Sequence, residues 1–295
     1  MQAGLACLNG ELMAIDRAKV PISDRGFLFG DSIYEVYRLY GGRLWLEAEH
    51  TARLRRSLAE MALPFVDLDR LRDRIVRTVE AAEVREGTAY IQITRGVAPR
   101  AHAFPDPPVE PTEVIVVRPY DDAATARKRE AGAAVVSRAD LRWKRCDVKS
   151  TNLLANVVAL DSAVKVGAQE ALLFDADGVV TEATHSSVLW VREGRIEGTP
   201  EGEIILPGIT RFLTGKLAAD LAIPYAEGRI ALEEFGRVDE AILVGTTVEV
   251  MPIVSLDGRA IGDGRPGPIT RRLQEAYRNA LDAWLAHGPE GRPGA

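Results

Sequence analysis

The sequence predicts a mixed α/β (α+β) protein made of two domains. With 295 residues, of which 46% are hydrophobic, the chain is long enough for two buried cores. Strand-like and helix-like patterns alternate along it without an internal repeat. The polar stretch DDAATARKREAG lies between the two halves and is typical of an interdomain connection. We therefore predict a smaller N-terminal α/β domain over 1–120, a connection over 121–132, a larger C-terminal domain over 133–286 and a frayed tail over 287–295.

The N-terminal half contains two amphipathic helices followed by two strands. EHTARLRRSLAEMAL has one apolar helical face and must end before Pro64, and LDRLRDRIVRTVEAAEV has a second one. The residues expected to face the core are Leu54, Leu58 and Met61 in the first helix and Leu68, Leu71, Ile75, Val79 and Ala82 in the second. TAYIQITRG and TEVIVVRP have the composition of strands, and the Pro-rich stretch VAPRAHAFPDPPVEP between them predicts a loop.

The C-terminal half alternates strands, helices and tight turns. It begins with the strand AAVVS, and a helix is expected from about 152 to 166, closed by Gly167. Ser150, Thr151 and Asn152 are candidates for the N-cap of that helix. Asp177–Gly178 and Glu193–Gly194 predict hairpin turns. The remaining elements are the helix TRFLTGKLAADLA, the strand EAILVG, the hairpin VSLDGRAIG and a C-terminal helix through Trp284.

Composition and charge exclude several function classes. A formal net charge of −6 argues against nucleic-acid binding, because such affinity depends on neutralising phosphates. The two cysteines are far apart and the four histidines are scattered, so neither a disulfide framework nor a metal site is indicated. The first twenty residues resemble no signal peptide, and no later apolar run approaches a membrane span. We expect a cytoplasmic protein that acts on small molecules.

Four segments of the second half carry groups that could do chemistry. Lys149 lies at a strand-to-helix junction, and Glu182 ends a strand before a turn of small residues. Gly208 precedes a helix that begins near Ile209 and Thr210, whose free backbone N–H groups could bind a phosphate. The turn after the strand EAILVG contains Thr246 and Thr247, which could add hydroxyl donors. Taken singly, these are ordinarily a surface lysine, a strand-end carboxylate and a helix cap.

Together the four segments match what a pyridoxal-phosphate site requires. Such a site needs an amine for the Schiff base, an anion near the pyridine nitrogen and a group of donors for the phosphate. Lys149 could provide the first and Glu182 the second. The combination is more specific than any of its parts.

The chain resembles the fold-type IV (class IV) pyridoxal-phosphate enzymes, and among them most closely the bacterial D-amino acid aminotransferases. Several motifs in the family's order carry the resemblance over nearly the whole chain: SDRGFLFGDSIYEVYRLYGG, EHTARL, TRGVAPRAHAFP, RWKRCDVKSTNLLAN, VVTEATHSSV, ILPGITR and VGTTVEVMPI. The resemblance implies pyridoxal 5'-phosphate as cofactor. It also implies a C-terminal domain built on a mixed, β-barrel-like sheet flanked by helices.

The resemblance assigns a role to individual residues. Lys149 corresponds to the Schiff-base lysine and general base, and Glu182 to the partner of the pyridine nitrogen. Arg142 matches a residue near the phenolic oxygen, Leu206 one that packs on the ring, and Tyr34 one that faces the substrate. The resemblance implies that the phosphate is bound by Arg53, the backbone of Ile209 and Thr210, and Thr246. Thr247, in the same turn as Thr246, is also expected to bind the cofactor. From the pattern alone Arg53 could equally be a solvated charge, since Arg55 and Arg56 are its neighbours.

Substrate choice depends on the segment PRAHAF. Arg100 and His102 are two residues apart, so in an extended segment they would point to the same side and could bind one carboxylate. Without the resemblance they would be read as an exposed basic loop. In D-amino acid aminotransferases the matching pair binds the substrate carboxylate and reaches the site from the neighbouring subunit. The resemblance therefore implies D-specificity and a homodimer with shared sites.

One turn departs from the family pattern. After the glutamate the family usually has a serine-rich turn that ends in asparagine, whereas this chain has Thr184, His185, Ser186 and Ser187. His185 has no counterpart with a known role, and we interpret it as a turn residue rather than a catalytic one.

The predicted activity is ping-pong transamination between a D-amino acid, such as D-alanine or D-glutamate, and a 2-oxo acid, such as 2-oxoglutarate or pyruvate. It would proceed through the Lys149 Schiff base and pyridoxamine phosphate. Two other enzymes stay open as alternatives: a branched-chain L-amino acid aminotransferase and an aminodeoxychorismate lyase. A catalytically silent cofactor-binding protein is the alternative outside enzymes.

Overall fold

The computed structural model describes residues 4–63 and 66–288, and it confirms the mixed α/β class. Part of the predicted tail, 289–295, lies outside the described residues. The chain forms two compact units. Unit 1 contains the described residues up to Asp121 together with Val148–Asn152, and unit 2 contains Asp122–Asp147 and the described residues from Leu153 onward.

Unit 1 is an antiparallel sheet with helices packed on it. Its strands are β1 (Leu5–Leu8), β2 (Glu11–Ala14), β3 (Ser32–Tyr40), β4 (Arg43–Leu44), β5 (Gly87–Thr94) and β6 (Thr112–Pro119). Its helices are the 3-10 turn Ile15–Arg17, α1 (Arg25–Phe29), α2 (Glu47–Glu60) and α3 (Leu68–Ala82). The strand order is β2-β1-β6-β5-β3-β4, and every pair is antiparallel.

The core of unit 1 follows the predicted helix faces. Leu54 and Leu58 of α2 and Leu71, Ile75 and Val79 of α3 are buried against the apolar residues of the sheet, while Met61, Leu68 and Ala82 are partly buried at its margin. A period of 3.6 residues explains this pattern, because it puts these positions on one side of each helix. Helix α2 ends before Pro64, as predicted.

Unit 2 is built on one mixed sheet. Its strands are β7 (Ala133–Ala139), β8 (Glu170–Phe174), β9 (Val180–Ala183), β10 (Ser187–Arg192), β11 (Arg195–Gly198), β12 (Tyr225–Glu227), β13 (Glu240–Gly245), β14 (Glu249–Leu256) and β15 (Arg259–Ala260). The strand order is β12-β11-β10-β13-β14-β7-β8-β9, with β15 paired to β14. Among the described strands, the parallel pairs are β11–β12, β14–β7 and β7–β8.

Helices accompany the sheet of unit 2. Those in the described part of the chain are α4 (Ala123–Ala131), α5 (Leu154–Val164), α6 (Ile209–Asp220), α7 (Leu232–Phe235) and α8 (Pro268–His287). The turn at Glu193–Gly194 has positive φ at both residues, 51° and 76°, which matches the two-residue turn expected between β10 and β11. Helix α8 includes His287, which the sequence suggested would be frayed.

Two segments differ from their sequence expectations. The stretch 121–132, expected to be a connection, contains the nine-residue helix α4. The N-cap of α5 is Leu153, which makes no side-chain cap bond, so Ser150, Thr151 and Asn152 do not cap the helix as predicted. Strand pairing explains the second difference, because Ser150 forms a β-bridge with Ile33 of β3 and its neighbours hydrogen-bond there too.

Within the described residues, no helix has the length and apolar character needed to cross a membrane. The cytoplasmic location stays a prediction.

Candidate active site

Lys149 is fixed in unit 1 through its backbone. Its carbonyl accepts a hydrogen bond from the Tyr34 amide of β3 at 2.9 Å, and its own amide donates to Ser57 Oγ of α2 at 3.3 Å. The Nζ atom lies 4.3 Å from the centroid of the Tyr34 ring. Lys149 and Tyr34, both predicted to be site residues, are therefore neighbours. The lysine is only half-buried, so its amine can be reached by a small molecule.

Arg53 is buried rather than solvated, in contrast to Arg55 and Arg56, which are exposed on the same helix. Its Nε and one terminal nitrogen donate to the two carboxylate oxygens of Glu35 at 3.0 and 2.7 Å. His50 Nδ1 lies 3.0 Å from the same carboxylate. The predicted role of Arg53 in phosphate binding stays a prediction, since the other predicted phosphate-binding residues belong to unit 2.

Burial and charge act in opposite directions on this cluster. Burial raises the pKa of Glu35, but the charges of Arg53 and His50 outweigh it, so the pKa lies well below its usual value. Burial lowers the pKa of His50, and the carboxylate of Glu35 does not fully compensate. Glu35 is therefore the anion of the cluster. The sequence analysis did not identify Glu35 and His50, although a glutamate inside the apolar strand SIYEVYRLY indicates a buried carboxylate that needs a partner.

Arg100 and His102 meet at one aromatic ring of unit 1. Arg100 Cζ lies 5.3 Å from the centroid of Phe29, and the imidazole centroid of His102 lies 5.6 Å from it. The segment bends at Arg100 and again at His102, so it is not extended as expected. Both side chains are nevertheless exposed and close to the same ring. Their shared carboxylate stays a prediction.

Glu182 lies near the end of β9 in unit 2 and is 6% exposed. Its Oε2 accepts hydrogen bonds from Arg142 at 2.5 Å and from the amide of Leu206 at 3.3 Å. Ser187 Oγ donates to Oε1 at 3.4 Å. A buried carboxylate with these partners is held in one orientation. The structure thus brings together three residues that the sequence singled out: Glu182, Arg142 and Leu206.

Arg142, which binds Glu182, is itself held in place by several hydrogen bonds. Its guanidinium also binds both oxygens of Asp140, at 3.0 and 2.8 Å, and the carbonyl of Ile204 at 3.0 Å. Burial alone would lower the pKa of Arg142. The hydrogen bond to Asp140 and the charge of Glu182 outweigh burial, so the pKa lies above its usual value. The structure places Arg142 beside the carboxylate of Glu182, and its expected position near the phenolic oxygen stays a prediction. Asp140 is a further residue that the sequence did not reveal.

The start of α6 lies close to this carboxylate. Gly208 is the N-cap, and it makes no side-chain cap bond, so the first-turn amides of Ile209 and Thr210 have no capping side chain. A Cβ added to Gly208 would come within 2.6 Å of Ser187 Oγ, which shows how near the helix approaches the start of β10. Ile209 and Thr210 are both buried.

The turn after β13 reaches the same edge of the sheet. Ser187 of β10 pairs with Val244 of β13, so the residues before β10 and after β13 lie side by side. A Cβ on Gly245 would be 3.4 Å from Ser186 Oγ. Thr246 and Thr247 follow Gly245 and are half-buried. A carboxylate, a helix N-terminus and a hydroxyl-bearing turn therefore converge within unit 2.

The turn that departs from the family pattern is organised by Glu170. This fully buried carboxylate of β8 accepts hydrogen bonds from Thr184 Oγ1 at 3.1 Å, from the amides of His185 and Ser186 at 2.7 and 3.1 Å, and from Ser186 Oγ at 3.0 Å. His185 Nδ1 lies 2.8 Å from it, and the imidazole is about half exposed. His185 is therefore bound inside its own turn. In the sequence, this role of Glu170 was indicated only by the presence of a glutamate at the start of the apolar strand EALLF.

Comparison with known proteins identifies the family of this chain. The model of the family described as amino-transferase class IV matches residues 32–256. The chain is 40% identical over 277 residues to the D-alanine aminotransferase of Staphylococcus aureus strain N315, covering 94% of this chain and 97% of that protein. It is 37% identical over 275 residues to the D-alanine aminotransferase of Bacillus licheniformis, covering 92% and 95%.

Solved structures agree in fold. The branched-chain amino acid aminotransferase of Escherichia coli superposes with a TM-score of 0.84 at 25% identity, covering 99% of this chain and 97% of that one. The branched-chain aminotransferase of Thermoproteus uzoniensis, solved with norvaline, superposes with a TM-score of 0.82 at 27% identity, covering 97% and 96%. With this fold and a family match over most of its length, the chain is an enzyme that belongs to the class IV aminotransferases.

Proposed function

We propose that this aminotransferase moves an amino group between a D-amino acid, D-alanine or D-glutamate, and a 2-oxo acid, 2-oxoglutarate or pyruvate. The observation that carries the proposal is the meeting of Arg100 and His102 at the ring of Phe29. Two exposed donors that contact one ring and are two residues apart in the chain can both bind a planar carboxylate. The D-alanine aminotransferases that are about 40% identical to this chain support the same substrate class.

The residues fit pyridoxal 5'-phosphate as the cofactor. In unit 2, the uncapped first turn of α6 and the hydroxyls of Thr246 and Thr247 offer donors for a phosphate. Glu182, held by Arg142, offers an anion for a protonated ring nitrogen. In unit 1, Lys149 offers an accessible amine. When bound, the cofactor supplies a carbonyl carbon for amines and an electron sink.

Each protein group then has one task. Lys149 attaches the cofactor and, once released, moves a proton to and from the substrate α-carbon. Glu182 would provide a negative charge for a protonated ring nitrogen, and Arg142 with Asp140 keeps that carboxylate in position. Leu206 orients the carboxylate through its amide. Arg53 and the start of α6 are the proposed phosphate ligands, and Tyr34 faces the substrate beside Lys149.

We also propose a homodimer in which the Arg100–His102 segment serves the partner's site. Helix α5 supports it, because Leu154, Val157 and Val158 form an apolar face that is 58–78% exposed. Single exposed apolar side chains are ordinary, but a stripe on one helix is typical of an association surface.

The second candidate is branched-chain L-amino acid transamination, which the fold similarity to the Escherichia coli and Thermoproteus uzoniensis enzymes favours. The experiment that separates the two is incubation of the purified holoenzyme with D-alanine or L-leucine plus 2-oxoglutarate. We expect glutamate to form in the incubation with D-alanine and not in the one with L-leucine. If glutamate forms only with L-leucine, the second candidate replaces the proposal.

Replacement of Arg100 by Leu tests the carboxylate contact. The variant loses a charge-assisted hydrogen bond of about 1.5–3 kcal/mol, so kcat/KM for D-alanine should fall about ten- to a hundredfold. Arg85→Leu, which changes an exposed arginine elsewhere in unit 1, is the matched control and should keep the parent's value. Parent-like efficiency in Arg100→Leu would mean that the carboxylate is bound elsewhere.

A further inference from the structure

Arg25 of α1 is a buried arginine that binds the backbone next to Arg100. It is 3% exposed. Its Nε donates to Asp31 Oδ2 at 2.7 Å. Its terminal nitrogens donate to three consecutive carbonyls, of Ala101 at 2.6 Å, His102 at 3.4 Å and Ala103 at 3.2 Å. One guanidinium therefore holds the whole backbone of the turn that contains His102.

The segment from Ser23 to Phe29 also contacts other residues of the loop that contains Arg100 and His102. The Arg25 amide donates to the carbonyl of Gly96 at 2.9 Å, and the Ala98 amide donates to the carbonyl of Ser23 at 3.3 Å. The ring of Phe29, four residues after Arg25, is the surface on which the side chains of Arg100 and His102 pack, and Arg25 Cζ lies 4.9 Å from its centroid. Backbone and side chains of the loop are thus bound by Ser23 and the short helix α1.

Asp31 fixes the arginine in turn. The carboxylate is 7% exposed, and its Oδ2 accepts from Arg25 and also from Arg95 at 2.8 Å. The guanidinium of Arg95 lies 3.5 Å from the ring centroid of Phe104, at the far end of the loop. Both cations that contact the loop are therefore anchored on one buried anion. A lysine at position 25 could keep the ion pair but could not reach three carbonyls, because it lacks the planar fork of donors.

We propose that Arg25, anchored on Asp31, is a positioning residue that holds Arg100 and His102 in place for binding the substrate carboxylate. The inference rests on the proposed function, because it assigns Arg25 a task only if these two residues bind substrate. Its physical content is preorganisation. A loop that is already ordered loses less conformational entropy when the carboxylate binds, so removing the tether should weaken binding more than it slows chemistry.

The test is steady-state kinetics of the Arg25→Lys holoenzyme with D-alanine and 2-oxoglutarate. KM for D-alanine should rise about tenfold while kcat changes by less than about threefold. Arg38→Lys is the matched control. Arg38 is also buried in unit 1 and donates to two carbonyls, of Leu39 and Gly87, but it does not bind the loop. It should lower the unfolding temperature and leave KM unchanged.

Two further variants separate positioning from general destabilisation. Phe29→Leu removes the ring that both side chains contact without touching the buried ion pairs, and it should raise KM by a similar factor. This variant replaces Arg25→Lys as the test if Arg25→Lys folds poorly. In the Arg100→Leu background, Arg25→Lys should raise KM by a smaller factor than in the parent, because one of the two contacts that Arg25 positions is already lost. A parent-like KM in a folded Arg25→Lys, or an undiminished effect in the Arg100→Leu background, would overturn the proposal.

Limited trypsin digestion distinguishes failure of this inference from failure of the proposed function. Arg-to-Lys changes keep the number of trypsin sites, so cleavage after Arg100 can be compared directly by mass spectrometry. Cleavage there should be at least about fivefold faster in Arg25→Lys than in Arg38→Lys, because local opening sets its rate. If the parent does not turn over D-alanine, the proposed function fails. Equal cleavage rates would then also overturn the tethering of the loop by Arg25.

Discussion

Lys149 combines a fixed backbone with an accessible side chain, which suits the two tasks proposed for it. Hydrogen bonds from Tyr34 and to Ser57 fix its carbonyl and amide, so the position of the α-carbon is set by β3 and α2. The amine lies against the Tyr34 ring, a contact that can be broken without disturbing the backbone. Its flexible stem can therefore attach the cofactor and later swing to carry a proton.

Replacement of Lys149 by Ala should abolish this chemistry while leaving the fold intact. We expect kcat to fall by at least about 10²–10⁴-fold, because attachment and proton transfer are lost together. The absorbance of lysine-bound cofactor should disappear as well. Lys144→Ala is the control, since Lys144 is an exposed lysine of the same stretch and should behave as the parent. An ordinary lysine-bound spectrum in Lys149→Ala would refute the assignment.

Glu182→Gln keeps the shape of the buried side chain and removes its charge. The cofactor should still bind, but a neutral amide no longer favours a protonated ring nitrogen, so proton transfer should slow about ten- to a hundredfold. Single-turnover kinetics with D-alanine measure this step. Glu197→Gln, which alters a partly buried carboxylate that binds Trp190 and Arg192 in the same unit, should have the parent's rate. The assigned role is lost if the two variants have equal rates.

At the scale of elements, the turn between β9 and β10 is shaped from outside by Glu170 of β8. Two amides and two hydroxyls of the turn donate to this one carboxylate, and the turn joins Glu182 to Ser187. Burial raises the pKa of Glu170, but the charge and hydrogen bond of His185 outweigh it and lower the pKa. Glu170 therefore fixes the backbone and the hydroxyls of this unusual turn.

Glu170→Gln should destabilise the protein by about 1–3 kcal/mol at pH 7. The NH₂ group of the glutamine would face N–H and O–H donors of the turn, which would lose their acceptor. The lowered pKa gives this effect a pH dependence. A carboxyl whose folded pKa is depressed contributes stability above its unfolded value, near 4.5, and loses it as the pH falls below that value. Urea unfolding at pH 7 and pH 4 should therefore show a smaller difference between parent and variant at pH 4. A difference that grows toward acid would contradict this sign.

The elements that the sequence predicted well are those set by local chemistry. The helix faces of α2 and α3 follow from their period, and the Glu193–Gly194 turn follows from the two residues that adopt positive φ. The N-cap of α5 could not be predicted in this way, because Ser150 pairs instead with Ile33, which is distant in sequence. The same reason hides Glu35, Asp140 and Glu170. A carboxylate in a strand, or directly after one, reveals its importance only when folding brings its partners to it.

At the scale of the whole molecule, each unit has its own apolar core and its own buried ion pairs. The candidate residues are divided between the units, with Lys149, Tyr34 and Arg53 in unit 1 and Glu182, Arg142 and Thr210 in unit 2. The proposed activity therefore requires that both units are folded. Association of two chains would add a further requirement, because the proposed carboxylate ligands would come from the partner.

The apolar face of α5 gives this requirement a test. Val158 is 60% exposed, and a glutamate there would place an unpaired charge inside the proposed dimer interface, at a cost of several kcal/mol. We expect Val158→Glu to sediment as a monomer and to lose most D-alanine turnover. Leu285→Glu changes an exposed leucine of α8 in the same unit and should stay dimeric and active. If Val158→Glu is monomeric and fully active, each chain binds its substrate alone and the sharing of Arg100 and His102 between subunits is excluded.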